Sequence, residues 1–67
     1  MRTLSDVADE YERWAAEDDA MISGIMSNVD GLADGVREEQ LRFATLLAEE
    51  ARNLRDDAKR LRRSVGL

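Results

Sequence analysis

Cysteine, histidine and proline are all absent from this 67-residue chain. Without cysteine there is no disulfide to staple a small fold and no thiolate zinc site. Without histidine, the commonest general base near neutral pH is missing, and so is the Glu-x-x-His pattern of di-iron helix bundles. Without proline, nothing breaks a helix from within. Aromatic residues number three, Tyr11, Trp14 and Phe43, and lysine occurs once, as Lys59, against nine arginines. That bias points to a GC-rich bacterial or phage genome. No apolar run approaches the ~18 residues a membrane span needs, and the opening Met1-Arg2-Thr3-Leu4-Ser5-Asp6 lacks the apolar stretch of a signal peptide. A cytoplasmic protein with no membrane span is the expectation.

What remains is strongly amphipathic, 43% hydrophobic and 37% charged. Length allows one domain over 1–67, and a lone core of this size rarely supplies more than ~3–5 kcal/mol, so a partner is the expected source of further stability. The net charge of −5 is unevenly placed. Residues 1–35 carry nine acids and two bases, whereas residues 36–67 carry six acids and eight bases.

Two heptad series organise the chain. Leu4, Val7, Tyr11, Trp14, Asp18, Met21 and Ile25 follow steps of three and four, interrupted in character only by Asp18. Gln40, Ala44, Leu47, Ala51, Leu54, Ala58, Leu61 and Val65 do the same. Thr3 or Ser5 suits the first helix start, and Gly66 suits the second helix end. Between the series, Asn28-Val-Asp-Gly-Leu-Ala-Asp-Gly-Val36 holds two Asp-Gly pairs, which predicts a turn with Gly31 in a left-handed cap and Asp34 capping the next helix. Helices are expected over roughly 4–29 and 35–64.

Folding about residues 32–33 pairs Leu4 with Leu61, Val7 with Ala58, Tyr11 with Leu54, Trp14 with Ala51, Met21 with Ala44 and Ile25 with Gln40. The expected fold is therefore all-α, a two-helix antiparallel coiled-coil hairpin assembling into a four-helix bundle, with one nearly continuous helix in an antiparallel dimer as the rival. Asp18 falls opposite Leu47. A buried, unpaired carboxylate is costly, so the seam opens to water there, Asp18 rotates outward, or a second chain supplies its partner.

Several features suggest function. Apolar residues beyond the seam, Ile22, Met26, Val29, Leu32, Val36, Leu41, Phe43 and Leu46, exceed what two helices can bury, which marks an interface. The partner is the chain itself, as a homodimer, or another helical protein. Glu10, Glu12, Glu17, Asp18 and Asp19 form an acidic face suited to a small phage-type inhibitor that blocks a basic groove. Glu10, Glu17, Glu50 and Asp57 share one edge, but a solvated edge, or one paired with arginines of another chain, explains them better than a divalent cation does, and no cofactor or metal is expected. The basic segment Lys59-Arg-Leu-Arg-Arg63 matches a helix C-terminus, and overall acidity argues against nucleic acid as a partner. Secretion substrates of the WXG type share the two-helix plan, yet their Trp-x-Gly turn has no counterpart in Asp30-Gly31-Leu32. A hairpin without an interior pocket has no means to tune a general acid or base. The expected role is a non-catalytic protein–protein interaction module.

Overall fold

Thr3 opens the first helix. Its hydroxyl accepts from the Asp6 amide at 3.1 Å, and the Asp6 carboxylate accepts from the Thr3 amide at 3.0 Å. This reciprocal capping box satisfies two donors that a helix start leaves open, and it places a negative charge at the positive end of the helix dipole. In the computed structural model, which describes residues 1–65, α1 then runs Leu4–Asn28 and α2 runs Asp34–Val65. At ~1.5 Å per residue these helices are roughly 38 and 48 Å long. The molecule measures 50 × 16 × 14 Å, the shape of two helices lying side by side as a hairpin. Gly66, the expected C-cap, and the Val65 side chain lie outside the described residues.

The connection departs from expectation. No described residue has a positive φ, so Gly31 makes no left-handed cap. Instead Val29–Gly31 tightens into a single 3-10 turn, and Leu32 donates its N–H to the Val29 carbonyl at 3.2 Å. Tightening from i→i+4 to i→i+3 bonding is the other route by which a helix end satisfies its carbonyls. Asp34 is the first residue of α2 rather than its cap; the Ala33 carbonyl accepts from the Arg37 N–H at 2.8 Å. The Arg37 side chain then turns back over the connection. It donates from Nη2 to the Leu32 carbonyl at 3.2 Å and from Nε to the Val29 carbonyl at 3.4 Å, and it lies 3.6 Å from Asp34. A cation in the first turn of a helix opposes the dipole. Here it serves the carbonyls of the turn before it.

On α2 the buried and half-buried positions are Gln40, Ala44, Leu47, Ala51, Leu54, Ala58 and Leu61, the alternating series read from the sequence, together with the flanking Arg37 and Arg62. α1 is turned. Its inward series is Ala8, Tyr11, Ala15, Asp18, Ile22, Ile25 and Val29. Leu4, Trp14 and Met21, expected in the seam, are exposed, Trp14 by 42%, and Val7 is half-buried. The expected and observed α1 series share Tyr11, Asp18 and Ile25 and differ by one residue elsewhere. That is a rotation of about 50°, half the ~100° between neighbours.

Both α1 series are apolar, so periodicity alone does not choose between them. Size does. Ala8 and Ala58 are equidistant in sequence from Ala33, as are Ala15 and Ala51, and all four are essentially fully enclosed. Alanine on both sides lets two helices approach more closely than Trp14 against Ala51 would, and closer approach gains dispersion contacts. The consequence is that no large side chain among the described residues is fully buried.

Candidate interaction surface

The two long edges of the hairpin differ in chemistry. Along one, acids of α1 meet arginines of α2. The Arg62 guanidinium donates from Nε to Glu12 at 2.8 Å and from Nη2 to Asp9 at 2.5 Å, and Arg55 pairs with Asp19. Helical side chains lean toward their own N-terminus, so in an antiparallel pair they lean toward each other. That is why each arginine reaches a partner displaced along the axis. The hydrogen bonds it donates to Glu12, then to Asp9, raise the pKa of the Arg62 guanidinium above its ordinary value. Two rungs lie seven residues apart, Glu12 with Arg62 and Asp19 with Arg55, and the next positions in the same register are Met26 and Ala48. The ladder is ionic at the open end and turns apolar toward the connection, where Met26 and Leu41 are exposed.

The opposite edge is apolar along α1. Val7, Trp14 and Met21 form one column at seven-residue spacing, and Val36 and Phe43 of α2 lie beside its turn-proximal end. Trp14, Met21, Val36 and Phe43 are all exposed. Trp14 is braced by stacking on Tyr11, with ring centroids 5.6 Å apart and planes 29° from parallel. Two open grooves run between the helices on this edge. One, of about 460 Å³, is lined by Met21, Gly24, Ile25, Asn28, Leu32, Val36, Gln40 and Phe43. The other, of about 290 Å³, is lined by Val7, Tyr11, Asp57, Arg60, Leu61 and Ser64. A Cβ added at Gly24 would meet nothing within 4 Å, so the hairpin itself leaves room for alanine there.

No known protein family, curated protein or solved structure matches this chain. Function must be argued from the surface itself.

Of the residues expected at an interface, Met26, Val36, Leu41, Phe43 and Leu46 are exposed, Leu32 and Ile22 are half-buried, and Val29 is buried. Ile22 and Val29 belong to the hairpin seam, whereas Trp14, Met21 and Leu4 have moved outward. The same rotation of α1 accounts for both exchanges. The signal was present in the sequence as Ala8 and Ala15, small residues seven apart and adjacent to the larger Val7 and Trp14.

The expected acidic face is divided. Asp19 pairs with Arg55, Glu12 with Arg62, and Glu10 with Arg2, which precedes the same helix. Glu17 makes no ion pair among the described residues. Asp18 is only 5% exposed and lies in the seam, its Oδ2 enclosed without a hydrogen-bond partner in the chain. Among the described residues no three carboxylates converge as a metal site requires, and Asp57 pairs with Arg60 at 3.4 Å. No helix among them is long and apolar enough to cross a membrane.

Proposed function

We propose that the chain is a non-catalytic interaction module that works by associating through the edge bearing Trp14, Met21, Val36 and Phe43. One observation carries this reading. The hairpin encloses mainly alanines, with Val29 and Leu47, and leaves Trp14, Met21, Val36 and Phe43 exposed together on one edge, while exposed Met26 and Leu41 lie on the other. A hairpin evolved to stand alone would bury Trp14 and Phe43 first, because aromatic side chains bring the largest apolar area. Contiguous exposed apolar surface of this kind marks a site of association.

The apolar edge is favoured over an acidic blocking face for a physical reason. Asp9, Glu12 and Asp19 are engaged by arginines of the same chain, which reduces the charge offered to a basic groove. Salt and mutation separate the two readings. Association through the edge should persist in about 1 M salt, where the screening length falls to ~3 Å, and should be abolished by Phe43→Asp combined with Met21→Asp, with helical content retained. A stable monomer that recovers no partner, and whose behaviour neither substitution alters, would remove this function. Association lost with salt but indifferent to Phe43→Asp would favour the acidic reading.

A further inference from the structure

The edge that carries the exposed side chains also carries the spaces to receive them, and their spacing selects an occupant. Resting on the association proposed above, we infer that the partner is a second copy of this chain, laid edge to edge and antiparallel about a two-fold axis. Trp14 of each copy then fills the larger groove of the other.

Two observations support this arrangement. The first is position. Trp14 protrudes about ten residues, or ~15 Å, from the middle of the larger groove near Gly24. A two-fold axis that exchanges knob and groove crosses α1 near residue 19. Because α1 and its following turn span residues 4–31, that axis falls close to the midpoint of the rod, so the two hairpins overlap along almost their whole length. The same axis carries Val36, which lies beside Asn28 in the larger groove, to the level of the smaller groove between Val7 and Tyr11. One operation therefore brings an exposed apolar side chain to both grooves, the reciprocity an isologous interface demands.

The second is charge. The turn end, residues 28–39, holds four acids against Arg37, and the open end, residues 1–10 and 57–65, holds five bases against Asp6, Asp9, Glu10 and Asp57. Antiparallel copies set each acidic turn beside an end of slight positive charge, whereas parallel copies would set two acidic turns together.

The absence of cysteine makes the geometry directly measurable. Light scattering on the whole chain should give twice the monomer mass. A single Ala33→Cys variant carrying a spin label should show a label separation of about 40 Å, since the axis lies ~14 residues from each label. Gly24→Leu, whose Cβ meets no atom of its own hairpin within 4 Å, should weaken the dimer at least tenfold with helical content retained. A monomer at about 100 µM would overturn the second copy as occupant, and the broader function would then rest on the partner experiment above. A dimer with labels under about 20 Å apart would overturn the antiparallel arrangement, because parallel copies bring both turns to one end. A dimer indifferent to Gly24→Leu would overturn the groove as Trp14's seat.

Discussion

Asp18 shows how one residue departs from the pattern around it. It occupies a seam position between Ala15 and Ile22, is enclosed, and offers Oδ2 to no donor in the chain. An unsatisfied buried polar group costs about 1–3 kcal/mol, and alanine exceeds aspartate in helix propensity by roughly 0.7 kcal/mol. Asp18→Ala should therefore stabilise the hairpin by about 1–3 kcal/mol in denaturant unfolding, continuing the alanine ladder of Ala8 and Ala15. A loss of stability instead would mean that the carboxylate is matched in the assembled state by a group the single chain lacks. Trp14 makes the opposite case. A tryptophan in a core costs about 3–5 kcal/mol when truncated. Being 42% exposed and supported chiefly by Tyr11, Trp14→Ala should cost about 1 kcal/mol in dilute solution, where the chain is monomeric, measured by thermal unfolding. A loss near the core value would place its ring inside the hairpin.

At the scale of the helices, ends and faces are controlled separately. The capping box at Thr3 holds only the first turn of α1, so Thr3→Ala should cost about 1 kcal/mol and speed amide exchange near residues 5–7, leaving α2 unaffected. Exchange that rises equally throughout would show that α1 opens as one unit. Gly24 lies in the interior of α1 with open space where a Cβ would stand. Gly24→Ala should raise stability by up to ~1 kcal/mol, because the substitution narrows the unfolded ensemble without a clash. A decrease would indicate a close neighbour at that position. Helix limits were legible from caps and periodicity to within a few residues. The form of the connection was not, because Asp-Gly suits several turns and the decisive contact, Arg37 folding back on the Val29 and Leu32 carbonyls, is made across the turn.

The whole molecule is held by a narrow alanine seam with arginines along one flank. Those ion pairs are half-exposed, so each contributes little. A double-mutant cycle on Arg55→Gln and Asp19→Asn should give a coupling below ~1 kcal/mol that fades toward zero in about 1 M salt. A coupling that survives salt would mean the pair is better shielded than its exposure implies. The Arg62 shift is upward, so whatever that residue contributes is present below its ordinary value and is lost only in strongly alkaline solution. The stability difference between the native chain and Arg62→Gln should accordingly stay flat from about pH 6 to about pH 9.

Composition and spacing alone determined that this chain is helical, that it turns near residues 29–33, and which face of α2 points inward. These depend on local signals: caps, glycine pairs, and a stripe on α2 bordered over its C-terminal half by Glu50, Asp57, Arg55 and Arg62. The rotation of α1 was decided only by tertiary packing. Its columns at Trp14 and Ala15 are both apolar and lie ~100° apart, so local periodicity satisfies either. Close approach of alanine layers, together with arginines reaching across to Asp9, Glu12 and Asp19, selects one. That choice encloses Asp18 and turns Trp14 and Met21 from expected core into exposed surface, and it is the exposed surface that points to association.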